Sequence, residues 1–253
     1  MEAIDPEHKL CPNCEREIAI ESNFCGGCGH AQNFEEVNYA SGKKKNLQLV
    51  GLFFGVELIL CVSAKLIDDF NLRVALTYDV LFAVSTVCFF IGGWKDTRSL
   101  LKWPKFSALR LLALAIITLA SGALVQYTVS YINVHFFDGD TTFYFTYFGH
   151  QYGLLLMIVS VALCPAIFEE LAYRGFLMQK LLKIVDQKDA LTITSILFFL
   201  IHFSMVSFFW MLPFAFLLGY VRLKTNTIWY GVVMHFLFNL TACAFEVYRF
   251  GIF

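Results

Sequence analysis

Charge is what this chain has least of: 15% of its 253 residues are Asp, Glu, Lys or Arg, against about 25% in a soluble domain. With 58% apolar residues and 28 phenylalanines, that deficit excludes an ordinary soluble fold and marks an integral membrane protein. The formal net charge is −1, which gives no global bias toward nucleic acid. Alternating ten-residue strand segments are missing, which excludes a membrane β-barrel. No interior repeat is evident, which argues against a transporter built of two obvious halves. No secretory signal precedes the first apolar run, because residues 1–46 are polar and end in a lysine cluster, Lys43 to Lys45. The amino terminus is expected to stay in the cytosol.

What is present begins with cysteine. "CPNCEREIAIESNFCGGCGH" holds two C-x-x-C pairs, Cys11/Cys14 and Cys25/Cys28. Two such knuckles complete a tetrahedral four-thiolate zinc site, and a segment of this size needs the metal for most of its stability. The closed site makes the zinc structural; what the ribbon binds is not readable. His30 is taken as a surface neighbour of the site. Redox-active pairs or disulfides are the competing reading, which a cytosolic location disfavours. The other four cysteines, Cys61, Cys88, Cys164 and Cys243, sit singly in apolar stretches and read as small hydrophobes. The expected organisation is a zinc ribbon over residues 1–32, a linker over 33–46 and a membrane domain over 47–253.

The apolar stretches predict an all-α polytopic bundle of about seven transmembrane helices, over 47–67, 72–94, 106–134, 148–168 (helical to about 184), 190–209, 211–223 and 227–248; most are near the ~20 residues that cross a bilayer, while the sixth is short and has Pro213 near its start. With the amino terminus inside, Lys43 to Lys45, Lys95, Arg98, Lys102, Lys105, Arg110, Arg174, Lys180, Lys183, Lys188, Arg222 and Lys224 fall on the cytosolic side. Only Lys65, Arg73 and Arg249 fall outside. That asymmetry satisfies the positive-inside rule and puts the carboxyl terminus outside a cell-membrane protein.

Several polar groups are left within the hydrocarbon: Glu57, Asp79, Glu169, Glu170, Arg174, His202, His235 and Asn239. Such residues are functional candidates because an idle one is costly. Glu170 and Arg174 are four apart and can pair as scaffold, while Glu169 points about 100° away. His235 and Asn239 share a face of the last span, and Phe198 helps seat His202. Counting residues from the cytosolic ends brings Glu169, His202, His235 and Asn239 to similar depth. This set suits addition of water to an amide: a glutamate and a histidine to activate the water, a histidine and a carboxamide to hold the oxyanion. Glutamate with two histidines is equally a set of catalytic zinc ligands, and the sequence does not decide between them. Glu57 and Asp79 read as lone polar sites facing the bundle or a cavity. His135 and His150 read as interfacial, flanking an outer loop with an aromatic belt.

In order and spacing, "EELAYR" (Glu169, Glu170, Arg174), "FFLIH" (Phe198, His202) and "HFLFN" (His235, Asn239) resemble the motifs of the CPBP family. These are the CAAX-protease and bacteriocin-processing intramembrane endopeptidases, also called Abi; the resemblance spans residues 148–245. It implies a helical CAAX-protease-like bundle in which Glu169 and His202 activate water, His235 and Asn239 form the oxyanion hole, and Glu170 and Arg174 support. Members were named metalloproteases, yet the eukaryotic-type CAAX branch favours a metal-free glutamate mechanism. The implied function is hydrolysis of a peptide or membrane-associated protein near the cytosolic face. A non-catalytic binding or immunity protein that keeps the fold is the alternative. No H-E-x-x-H, G-x-S-x-G or paired intramembrane aspartates point to another class of intramembrane protease.

Overall fold

A computed structural model describes residues 8–22, 24–30, 32, 34–136, 142–204 and 207–251. Part of the expected outer loop, residues 137–141, lies outside them, as does residue 33 of the expected linker. The chain divides into two units, residues 1–48 and 49–253.

In the first unit a two-stranded antiparallel hairpin, β1 (His8–Leu10) and β2 (Glu17–Ala19), sets Lys9 opposite Ile18. The two cysteine knuckles repeat one backbone design. Glu15 N–H donates to Cys11 O and Gly29 N–H to Cys25 O, both at 2.8 Å, while Cys11 N–H donates to Arg16 O and Cys25 N–H to His30 O. The residue after each second cysteine turns left-handed, Glu15 at φ +56° and Gly29 at φ +72°. Glycine takes that conformation freely, whereas a glutamate is strained by roughly 1–2 kcal/mol.

Among the described residues seven long helices follow: α1 (Phe34–Lys65), α2 (Leu72–Gly92), α3 (Ala108–Phe136), α4 (Gly153–Leu181), α5 (Gln187–Leu200), α6 (Phe208–Thr225) and α7 (Trp229–Phe250). Helix α1 begins at Phe34, so most of the stretch read as a linker is helical. α1 from Gly42, α2, α3, α4 and α7 are long and apolar enough to cross a membrane. In α3 only 11% of the most apolar window is buried; the helix packs on α7, with Gly122 against Thr241, and leaves most of its other apolar side chains uncovered.

Helix α5 departs from the expected span. It has 14 residues, or about 21 Å at 1.5 Å per residue, short of a ~30 Å hydrocarbon core. It ends at Leu200, Phe203 turns left-handed at φ +49°, and α6 starts at Phe208. α6, with 18 residues including Arg222 and Lys224, is about 27 Å long.

Helix α4 is not uniform. Residues Ile158–Leu163 and Glu170–Leu177 are π-helical; Met178 N–H, for example, reaches Tyr173 O five residues back. π segments gather at functional sites because the extra residue re-aims side chains.

Each end of the bundle is tied by polar contacts. At one end Asp96, in the α2–α3 connection, meets Lys180 at 2.8 Å and Lys183 at 2.6 Å. There too Thr227 Oγ1 donates to Leu100 O at 3.0 Å, and Trp229 Nε1 to Leu101 O at 2.8 Å. At the other end buried Glu246 of α7 accepts Thr142 Oγ1 at 2.6 Å and Tyr144 N–H at 2.7 Å, holding the one-turn helix Tyr144–Tyr147.

Replacing Glu15 with glycine relieves the left-handed strain, so amide exchange across the first knuckle is expected to slow about fivefold, the factor that roughly 1 kcal/mol gives. Hydrogen exchange on the intact chain checks it. Burial raises the Asp96 carboxyl, but Lys180 and Lys183 outweigh it and the net shift is below the ordinary 3.8. A depressed folded-state value stabilises above the ordinary one and is lost as pH falls through the depressed one. Asp96→Asn is therefore expected to lower Tm in detergent by about 2–4 °C at neutral pH. The gap should hold in mild acid and close only below the ordinary carboxylate range.

Candidate active site

The site is organised around a guanidinium with no access to solvent. Arg174 and Glu170 are both 0% exposed, and Arg174 Nη1 meets Glu170 Oε1 at 3.0 Å. Arg174 Nη2 donates to Ala215 O on α6 at 3.2 Å, and the guanidinium lies 4.4 Å from the centre of the Phe198 ring on α5. A buried ion pair survives only with good geometry and further partners, and these contacts supply them. Arg174, counted on the cytosolic face from sequence, thus belongs to the core. Its carbonyl accepts Arg222 Nε at 3.0 Å, so Arg222 is also turned inward, at 3% exposure.

The same Glu170 Oε1 lies 3.1 Å from His235 Nδ1 on α7. A carboxylate already paired with Arg174 accepts and does not donate, so His235 carries its proton on Nδ1 there. The other ring nitrogen, Nε2, faces Glu169 Oε2 at 3.7 Å. His202 repeats the arrangement: its Nδ1 lies 2.8 Å from Phe198 O, and a carbonyl can only accept, so Nδ1 is the protonated nitrogen. Both imidazoles are oriented through Nδ1, and Nε2 is the nitrogen left for other contacts. The Phe198 ring lies between them, 5.0 Å from His202 and 6.0 Å from His235, centre to centre.

Asn239, one turn beyond His235, donates Nδ2–H to Val161 O on α4 at 3.1 Å. Pro165 sits four residues after Val161 and has no N–H to give that carbonyl. The proline thereby leaves an acceptor that fixes the carboxamide. Close approach of α7 to α4 depends on Gly231: a Cβ there would lie 2.6 Å from Glu170 Oε2.

Glu169 and His202 line a cavity of about 520 Å³. Its walls come from α1 (Glu57, Cys61, Lys65), α2 (Asp79, Phe82, Thr86), α4 (Cys164, Phe168, Glu169, Ala172) and the end of α5 (Ile201, His202). Glu169 Oε2 is buried and has no hydrogen-bond partner. Glu57, 3% exposed, accepts only a 3.3 Å bond from Ser85 Oγ, and Asp79 is held by Ser160, whose own hydroxyl accepts Tyr147 Oη–H at 2.8 Å. His235 and Asn239 are not among its lining residues. Sequence reasoning missed Gly231, Ala215 and the α1–α2 wall, because nothing in a periodicity says which helices meet.

Residues 151–241 match the family model for Type II CAAX prenyl endopeptidase Rce1-like proteins. The matched stretch, similar to an Rce1-like domain, takes in Glu169, His202, His235 and Asn239. No curated protein and no solved structure matches the chain. Five helices of the described residues are long and apolar enough to cross a membrane, and the matched stretch runs from the last part of the α3–α4 connection through most of α7.

In the amino-terminal unit the four cysteine sulfurs all lie within 4.8 Å of one another, with Cys11–Cys28 at 3.7 Å and Cys14–Cys25 at 3.6 Å. Zinc–sulfur bonds of about 2.3 Å give a tetrahedron with edges of about 3.8 Å, so the sulfurs fit one tetrahedral ion. Gln32 Nε2 and Gly27 N–H each donate to a cysteine sulfur at 3.4 Å. Among the described residues no other group of three or more His, Cys, Asp or Glu ligand atoms comes that close. Glu169 and His235 come within 3.7 Å of each other, but with His202 they do not make such a group.

Gly231→Ala is expected to cost about 1–3 kcal/mol through overpacking, because Glu170 cannot withdraw without loosening Arg174 and His235. Thermal unfolding in detergent measures it; unchanged stability would mean that Glu170 is not held as described.

Proposed function

We propose that the chain is an intramembrane endopeptidase that hydrolyses a peptide or membrane-anchored protein with Glu169 and His202 activating water. The observation that carries this reading is the cavity of about 520 Å³ that both side chains line. Water between Glu169 and His202 Nε2 would lose a proton to the carboxylate as its oxygen attacks the amide carbon. The proton then passes to the leaving nitrogen as the C–N bond breaks, giving a free amine and a carboxylate product.

The oxyanion of the tetrahedral intermediate would be held by His235 and by the second N–H of the Asn239 carboxamide. His235 can donate from Nε2 only as imidazolium, because Nδ1–H is given to Glu170. We assign zinc to the four cysteines as a structural metal that steadies the ribbon, and a cytosolic ribbon to the orientation set by the basic loops.

Glu169→Gln and His202→Ala are each expected to lower peptide hydrolysis in detergent by about 10²–10⁴-fold, with the fold intact by thermal unfolding. Product profiles equal to wild type across a peptide library would sink the reading. Elemental analysis of a Cys11→Ser/Cys14→Ser variant should find no zinc while hydrolysis persists; zinc retained in stoichiometric amount would place a metal in the membrane site.

A further inference from the structure

We infer that the cavity beside Glu169 selects a substrate with a basic side chain, whose cationic head is held by Glu57 and Asp79. This deepens the proteolytic reading and rests on it for the reaction, while the subsite itself follows from how the carboxylates of the bundle are paired.

Some of those carboxylates are satisfied within the protein. Glu170 has Arg174 at 3.0 Å. Glu246 takes three donors, Thr142 Oγ1 at 2.6 Å and the N–H groups of Phe143 and Tyr144 at 3.3 and 2.7 Å. Glu57 and Asp79 differ. Both line the cavity with Glu169, and among the described residues no Lys, Arg or His forms an ion pair with either.

Glu57 is 3% exposed, and its donor is Ser85 Oγ, at a long 3.3 Å to Oε1. Its Oε2 receives no hydrogen bond from a described residue, so an almost wholly buried carboxylate lines the cavity with one oxygen unmet. Asp79 ends a chain of hydroxyls: Tyr147 Oη donates to Ser160 Oγ at 2.8 Å, and Ser160 Oγ donates to Asp79 Oδ2. That chain fixes the carboxylate in place and leaves Oδ1 without a donor. The basic groups of the lining do not answer this need. Lys65 follows Glu57 by eight residues on α1, or about 12 Å along the axis, and His202 gives its Nδ1 proton to Phe198 O.

Carboxylates left unpaired in a membrane bundle are costly unless a cation joins them. The protein supplies none at Glu57 and Asp79, so the bound substrate is the source. The other walls choose among cations. Phe70, Phe82, Phe168 and Ile201 are apolar, which suits the methylene stem of a lysine or arginine whose head reaches the carboxylates. A small hydrated cation would gain nothing from such walls. Glu57 and Glu169 lie within electrostatic reach of each other, so a side chain bound at Glu57 belongs to a residue near the scissile amide.

The test uses the full chain in detergent and fluorogenic peptides blocked at both ends, in which one position at a time is Lys, Arg, norleucine or Glu. Wild type should cleave a Lys or Arg peptide over its norleucine match by about ten- to hundredfold in kcat/KM, the range of one hydrogen bond to a charged group. In Glu57→Gln and in Asp79→Asn that ratio should fall about tenfold, through KM, whereas Glu57→Asp should keep most of it. Damage to the fold or to catalysis lowers both peptides together and leaves the ratio alone. Equal cleavage of basic and norleucine peptides by wild type, or an undiminished ratio in the Glu57→Gln/Asp79→Asn double variant, overturns the inference. A preference that appears only with a free amino terminus does so too. If no peptide is cleaved, the proteolytic reading falls and fluorescence anisotropy still decides the subsite. Labelled Lys peptides should bind wild type about tenfold more tightly than norleucine ones, and the double variant equally; equal binding to wild type overturns the subsite.

Discussion

The Glu170–Arg174 pair is the constraint on which the membrane bundle rests. A guanidinium with no solvent access is tolerable only if every neighbouring element contributes to it. Helix α4 gives the carboxylate, α6 the Ala215 carbonyl and α5 the Phe198 ring. Helix α7 joins through His235 on the same carboxylate oxygen and through the missing side chain of Gly231. Because the pair is anchored to three other helices, the side chains beside it inherit fixed positions. Glu169 is the next residue in the chain and cannot move without disturbing it.

Two local irregularities convert that anchor into a site. The π segment Glu170–Leu177 begins immediately after Glu169, so the change of helical pitch falls where the two carboxylates part company. Pro165 withholds an N–H from Val161, and the orphaned carbonyl fixes Asn239 on the facing helix. In each case a departure from regular helix leaves a backbone or side-chain group for use across an interface. A regular α4 would have satisfied those groups internally and presented nothing.

Much of this arrangement was legible in the sequence. Charge scarcity and the lengths of the apolar runs give a helical membrane bundle, and four-residue spacings put Glu170 with Arg174 and His235 with Asn239. What could not be read was depth and contact. The 190–209 stretch is apolar enough to span, yet α5 ends at Leu200 because the chain turns at Phe203, a left-handed residue that hydropathy does not register. Glu57 and Asp79 read as isolated because their partners in the cavity lie on other helices. Arg174 was counted with the cytosolic charges for the same reason: its burial depends on Ala215 and Phe198, 41 and 24 residues away in the chain. The polar stretch before α1 joins a helix because a polar composition does not oppose helix once an apolar span continues it.

Both polar centres of the chain follow one rule with opposite means. The ribbon has too little apolar core to order its knuckles, so it gathers four sulfurs at tetrahedral spacing for an ion. The membrane centre has ample apolar core and the reverse difficulty, since charges there must be neutralised without water. It does so with side chains, pairing one carboxylate to a guanidinium and setting the other against an imidazole and a cavity. Glu169 Oε2 is turned toward His235, at 3.7 Å, while the Glu169 side chain as a whole is 28% exposed and lines the cavity. On the proposed reading, a carboxylate held in place at the edge of a cavity is where a water and an amide would be accommodated at least cost to the protein.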